Sequence, residues 1–199
     1  RGDRLIIGYG AIGRELASLS MGGARVLVDV AHVTPGSNDL AVDNARLMPT
    51  GIDRVEFLIA ANRGEEPRAL RRIASGGELS RALLAIKRVL TDVGGDTLYV
   101  FDEVDAGVGG AVAEVIGRKI KEVAARSQVL CITHLPQIAV YGDRHFVVRK
   151  REVGERTAST VRELDAAERL EEVARMLGGI QVTTRTREAA AEMLQRGAL

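Results

Sequence analysis

The sequence holds one cysteine, no tryptophan, and aromatic side chains at only 3% of its 199 residues. A lone Cys131 excludes a disulfide framework and a cysteine-based zinc site, and it fits a reducing compartment. So few aromatics leave no material for a base-stacking platform or an aromatic cage. No apolar run approaches the ~18 residues of a membrane span, so no membrane partner is expected. The first residues, RGDRLIIGYGAIG, lack the long apolar stretch and cleavage site of a signal peptide. Charge of one sign is also missing: 28 Lys and Arg stand against 27 Asp and Glu, a net charge of +1. That balance excludes a surface that is wholly a nucleic-acid footprint and leaves room only for local basic patches.

What is present is an ordinary globular composition, 46% hydrophobic and 28% charged, enough for a real core. The length predicts a single domain over 1–199. Glycine is in excess at 22 residues, against a usual ~7%, which points to turns or to backbone lying close to a ligand.

Strand-like and helix-like stretches alternate. Arg4 to Ile7 is a short apolar run, and Ile12, Leu16 and Leu19 follow at helical spacing. Arg25 to Val30 and Arg54 to Ala61 read as strands separated by a loop bearing Gly, Pro, Asn and Asp. Glu78 to Leu90 predicts an amphipathic helix with Leu79, Ala82, Leu83, Ile86 and Leu90 inward. Thr97 to Phe101 and Gln128 to Thr133 are near-continuous apolar runs, suited to the buried middle of a parallel sheet. Gly110 to Ala125 predicts a helix. His145 to Lys150 and Ala158 to Leu164 predict a hairpin across Val153-Gly154-Glu155. Asp165 and Glu168 form a capping box for a helix ending at Gly178-Gly179, and Thr186 to Gln195 a last helix. The class is α/β with antiparallel hairpins.

Four motifs carry chemistry. Gly8-Tyr9-Gly10-Ala11-Ile12-Gly13 matches G-x-G-x-x-G, with Asp29 about 20 residues on, as in a dinucleotide-binding turn; no run of βαβ units follows it. Ser75-Gly76-Gly77-Glu78 opens the amphipathic helix. Ser75 and Glu78 make a capping box, but two glycines in a first turn weaken a helix. They make sense where backbone N–H groups must lie flush against an anion. The strand TLYVF runs into Asp102-Glu103 and then Asp105. Adjacent carboxylates at the carboxyl end of a buried strand need partners, and that end of an open α/β sheet is where ligands bind. Asp102 suits Mg²⁺ and Glu103 suits activation of a water. Finally, VLCIT ends at His134, 31 residues after Glu103, so the two side chains can face one crevice. Cys131 reads as a small buried hydrophobe. His32 and His145 have no metal-ligand spacing, and Arg71-Arg72 and Arg149-Lys150-Arg151 read as solvated faces.

SGGELSR, FDEVDAGVGG and ITHLPQIA, in this order and spacing, resemble the carboxyl-terminal part of an ABC-type ATPase head. They are most similar to the RecN family, relatives of the SMC proteins. The likeness runs from about Arg14 to the end and includes VEFLIAAN and RLEEVARMLGG. Transporter cassettes usually carry Pro where this chain has Val104. The family often has Thr where this chain has Ala106. The resemblance implies the fold of the C-terminal lobe of a P-loop ATPase head, with parallel core strands flanked by helices plus antiparallel hairpins. It implies that Ser75, Gly76, Gly77 and Glu78 are the signature motif that meets the γ-phosphate of ATP on an opposing head. It implies that Asp102 serves Mg²⁺, that Glu103 is the general base, that Asp105 begins the D-loop at the dimer interface, and that His134 senses the γ-phosphate.

One departure is large. The chain has no G-x-x-x-x-G-K-[ST] phosphate loop and no heptads of a coiled-coil arm. The expectation is therefore a portion of a longer protein whose N-terminal lobe and arm are missing here. With ATP bound between two heads of a homodimer, the whole would act on DNA in double-strand break repair and recombination, in the bacterial cytoplasm at the nucleoid. The alternatives are another SMC-like or ABC ATPase head, a nicotinamide-dependent oxidoreductase using Gly8, Gly10, Gly13 and Asp29, or a non-catalytic interaction domain.

Overall fold

The helical stripe Ile12, Leu16 and Leu19 is buried, at 4%, 0% and 0% exposure, and it organises the first helix, α1 (Gly2–Ser18). The computed structural model describes residues 2–73, 75–90, 97–153 and 156–198. They form two compact units divided between Val89 and Leu90. The run Arg4 to Ile7, expected as a strand, is helical. A short apolar run is compatible with either state, and continuity with the amphipathic stripe decides for helix.

In the first unit β1 (Arg25–His32) pairs antiparallel with β4 (Asp53–Ala60) along their whole length, from Arg25↔Ala60 to His32↔Asp53. Between them, β2 (Ala41–Val42) and β3 (Ala45–Arg46) form a small hairpin. Its turn residues Asp43 and Asn44 both have positive φ, 51° and 59°. That is the backbone of a type I′ turn, which Asp and Asn tolerate. β5 (Arg68–Ala69) adds to β4, and a 3-10 turn, Leu70–Arg72, follows.

α2 (Gly76–Val89) packs on α1, and Arg88 Nη1 meets Glu15 Oε1 at 2.8 Å. Its buried face differs from the expected stripe. Ala82 and Ile86 are inside, but Leu83 and Leu90 are 39% and 43% exposed, and Leu84 and Ala85 take the core positions at 0%. Two alanines on that face let the helix backbone come close to its neighbours, and packing outweighs the hydrophobic count.

In the second unit β6 (Leu98–Phe101) and β7 (Gln128–Cys131) are parallel neighbours in the register Leu98↔Gln128 to Phe101↔Cys131. α3 (Gly110–Ala124) joins them and packs on β7. Only one face of the pair is covered. Phe101 is buried, but Leu98, Val100, Leu130 and Ile132 are 52%, 56%, 48% and 54% exposed. The expected burial on both faces is thus half met. Parallel pairs are ordinarily sandwiched between layers, and among the described residues nothing in this unit covers the second face.

α4 (Pro136–Ala139) follows β7 with Pro136 in its first turn. β8 (Phe146–Val153) and β9 (Arg156–Glu163) pair antiparallel from Phe146↔Glu163 to Val153↔Arg156. The Gly154 and Glu155 of the expected turn lie outside the described residues. α5 (Ala166–Gly178) starts at the expected capping box: Asp165 accepts the Glu168 N–H while Glu168 accepts the Asp165 N–H, at 2.8 and 3.1 Å. α6 (Thr184–Ala198) closes the unit. Val140, Val173, Ala174 and Ala190 form a buried core here. Arg169 donates to the carbonyls of Val140 and Gly142 at 3.0 and 2.6 Å, capping the α4 segment. A Cβ on Gly117 would lie 3.0 Å from the Gln137 carbonyl oxygen, and one on Gly197 2.8 Å from the Val140 carbonyl carbon. α3 and α6 therefore rest directly on backbone, an approach that only glycine permits.

Candidate functional site

The site is built where β6 and β7 end side by side. The Ile132 N–H donates to the Phe101 carbonyl at 2.9 Å, so the parallel ladder holds up to the point where both chains leave the sheet. Asp102 and Glu103 are exposed beyond Phe101, and Val104 and Asp105 turn inward, at 0% and 4% exposure. Burying Val104 next to an outward Glu103 demands a sharp turn. Ala106 N–H donates to the Glu103 carbonyl and Val108 N–H to that of Asp105, and Glu103 itself has φ +55°. A left-handed backbone on a side chain that is neither Gly nor Asn costs on the order of 1–3 kcal/mol, and such strain clusters at functional sites. The Glu103 N–H donates to Asp102 Oδ1 at 2.9 Å. This turns one carboxylate oxygen towards the chain and leaves Glu103 projecting from the sheet end.

On the neighbouring strand Thr133 and His134 follow β7. Asp105 Oδ2 accepts from Thr133 Oγ1 at 2.5 Å and from the His134 backbone N–H at 3.0 Å, and it lies 3.0 Å from His134 Nδ1. Thr133 Oγ1 in turn accepts the Leu135 N–H at 3.0 Å. The His134 side chain is 74% exposed and that of Asp105 5%. Asp105 and His134 are therefore in contact, with Asp102 and Glu103 at the adjoining strand end. Thr133, read from the sequence as part of the β7 run, lies beyond the strand end; its signal is a hydroxyl directly before the histidine, the side chain suited to close a turn there.

Among the described residues no group of three or more His, Cys, Asp or Glu is arranged to hold a metal ion by itself. The exposed Asp102 carboxylate at a strand end fits Mg²⁺ all the same, because that ion keeps its waters and can take a single carboxylate together with substrate phosphates.

Cys131, read from the sequence as a small buried hydrophobe, is the last residue of β7 and only half buried. Its thiol is pushed up to about 12, first by burial and then by the negative charges of Asp105 and Asp102. A raised pKa keeps the thiol protonated, so it is a poor nucleophile at neutral pH. Alkylation of Cys131 by iodoacetamide should accelerate about tenfold per pH unit from pH 7 to pH 10 without levelling. A plateau near the ordinary cysteine value of ~8.5 would contradict the assigned environment.

In the first unit Ser75 caps α2. Its Oγ accepts the Glu78 N–H at 3.4 Å and its carbonyl accepts the Leu79 N–H at 3.1 Å. Ser75 and Gly76 are exposed and Gly77 is buried. The GYGAIG stretch falls within α1, and Asp29 sits on β1, antiparallel to β4 opposite Glu56. A dinucleotide site needs the glycines in a turn between a strand and a helix, beside a parallel strand, so the oxidoreductase alternative is overturned. Arg71, Arg72, Arg149, Lys150 and Arg151 are exposed, as expected of solvated faces. Among the described residues no helix is long and apolar enough to cross a membrane.

No protein-family model matches the chain. It is 46% identical over 179 residues to the DNA repair protein RecN of Xylella fastidiosa strain 9a5c, a match that covers 89% of this chain and 30% of that protein. It is 42% identical over 189 residues to the DNA repair protein RecN of Bacillus subtilis, covering 93% of this chain and 33% of that one. Among solved structures, an Smc head domain with a coiled coil and joint from Pyrococcus yayanosii superimposes on 85% of the chain with a TM-score of 0.53 at 20% identity, over 29% of its own length. The fold is thus α/β of the Smc-head kind. The chain spans about a third of the length of the curated relatives it matches.

Proposed function

We propose that this chain, which belongs to the RecN family over the stretch it shares with those proteins, is the C-terminal portion of an ATPase head. The observation that carries the reading is the paired strand ends: Asp102 and Glu103 at the end of β6 beside His134 at the end of β7. They stand at the carboxyl edge of a parallel sheet, where α/β folds bind their ligands. Glu103, projecting on its strained turn, takes the proton of the attacking water. His134 contacts the terminal phosphate. Asp102 would hold Mg²⁺, which supplies neutralising charge to the phosphates when bound. Ser75, Gly76, Gly77 and Glu78, at the positive end of α2, meet the terminal phosphate of ATP held by a second head, and Asp105 belongs to the segment facing that head.

The open apolar face of Leu98, Val100, Leu130 and Ile132 supports a further layer supplied by the N-terminal lobe, which carries the phosphate loop. Residues 1–199 would act together as one lobe. The intact homodimer would couple ATP hydrolysis to repair and recombination of broken DNA at the nucleoid, in the bacterial cytoplasm.

Phosphoryl transfer needs a cradle of amides and a lysine around the phosphates, and this sequence has no such loop. The purified 199-residue chain is therefore expected to turn over Mg·ATP no faster than background. Phosphate release proportional to the concentration of this chain would overturn the half-site reading.

A further inference from the structure

We propose that Thr133 is a positioning residue for Glu103, acting through Asp105 across the ends of β6 and β7. The inference rests on the reading of Glu103 as the base, and it adds the group that keeps that residue in place. The last bond of the parallel ladder runs from the Ile132 N–H to the Phe101 carbonyl. Beyond it the two chain segments are joined through a side chain. The Thr133 hydroxyl donates to Asp105 Oδ2 at 2.5 Å, and the His134 backbone N–H donates to the same oxygen at 3.0 Å. Thr133 Oγ1 also accepts the Leu135 N–H at 3.0 Å. A hydroxyl that accepts from one partner still has its single proton to give, and Asp105 takes it. Asp105 is 4% exposed, so its carboxylate has little water to replace a lost donor.

Glu103 lies two residues before this anchor. Phe101 and Val104 on either side of it are buried, and Asp105 is tied to the β7 side. The chain must reverse between them, and Glu103 takes the reversal at φ +55°. A left-handed backbone at such a residue persists only while the surrounding contacts over-determine it. The bonds inside the turn, from the Ala106 N–H to the Glu103 carbonyl and from the Val108 N–H to the Asp105 carbonyl, are local. They hold the turn's shape and say nothing of where it sits against β7. The two donors on Asp105 Oδ2 set that position. One is a backbone amide that no substitution removes, and the other is the Thr133 hydroxyl. A Thr133 that merely closes the β7 turn predicts lower stability, but the same loss of turnover whether or not residue 103 can accept a proton.

The test is a double-mutant cycle on the complete protein, read by ATP turnover and by amide hydrogen exchange. Thr133→Val keeps the shape and removes the hydroxyl. It should lower kcat about 10–100-fold, the cost of a displaced catalytic group, with KM for ATP within about twofold of wild type. Thr133→Ser restores the hydroxyl and should recover kcat to within about threefold of wild type. In a Glu103→Gln background Thr133→Val should change turnover by less than about twofold, because the group it positions is already disabled. The Ala106 and Val108 amides should exchange about tenfold or more faster in Thr133→Val, as the turn opens more often. Thr133→Ala carries the test if the valine variant does not fold. Unchanged kcat in the hydroxyl-free variants, a serine variant no better than valine, or an equal loss in the Glu103→Gln background overturns the proposal. Near-normal turnover of Glu103→Gln alone defeats the reading of Glu103 as base, whereas unchanged exchange in Thr133→Val defeats the tie, so the two failures are told apart.

Discussion

Replacing Glu103 with Gln in the complete protein is expected to leave ATP binding intact and to lower turnover by roughly 10²–10⁴-fold, a loss of about 3–5 kcal/mol of transition-state stabilisation. The amide keeps the shape and hydrogen-bonding capacity of the carboxylate but not its affinity for the proton of the attacking water. Nothing else at the strand end needs to move. The Glu103 backbone already lies at φ +55°, and its N–H bond to Asp102 Oδ1 does not involve the side chain. Asp102 therefore keeps its place for Mg²⁺. On the proposed reading, in which the heads part only after hydrolysis, the variant should collect as an ATP-bound dimer, seen as a shift to twice the monomer mass in size-exclusion chromatography. Near-normal turnover would remove Glu103 from the role of base.

Ser75→Arg is expected to have an equally large effect on turnover by a different route. Ser75 is exposed at the start of α2, beside an exposed Gly76, and its Oγ caps the helix through the Glu78 N–H. Loss of that cap costs about 1 kcal/mol, too little to unfold a domain of ordinary stability. An arginine at this position puts bulk where a phosphate of the opposing head would have to approach the first-turn amides. ATP should still bind to the complete protein with its affinity within about threefold of wild type, since only a contact made from the other head is blocked. The dimer should fail to close, and turnover should fall to the level of an isolated head. A Ser75→Arg protein that dimerises with ATP and hydrolyses it would reduce SGGE to a helix cap.

Much of the site was legible in the sequence because each part carries a local signal. Glu78 onward has helical spacing behind a capping serine, and β6 and β7 are apolar runs that each end at a polar residue of chemical interest. Their pairing follows from the intervening helix, since a strand–helix–strand unit makes parallel neighbours. The capping box at Asp165 and Glu168 was legible for the same reason: both partners lie within one turn.

Long-range packing was not legible. The stripe on α2 rotated towards Leu84 and Ala85 because packing against α1 selects the face, and no local count contains that neighbour. The exposure of Leu98, Val100, Leu130 and Ile132 was not legible, because an apolar run reports what a strand is suited to bury and not which neighbours cover it. GYGAIG shows how little a spacing match decides. Three glycines at the right spacing match a turn, yet the buried stripe Ile12, Leu16 and Leu19 carries the helix through them. The tie between Asp105 and Thr133-His134 joins residues 28 and 29 positions apart, and only the folded sheet end brings them together.

The central claim is that Glu103 acts within a site that Ser75 completes from a second head. It is tested most directly by size-exclusion chromatography with Mg·ATP on the complete protein carrying Glu103→Gln alone and Glu103→Gln together with Ser75→Arg. The account predicts a stable dimer for the single variant and a monomer that still binds ATP for the double variant. A double variant that elutes as the same ATP-dependent dimer would contradict it.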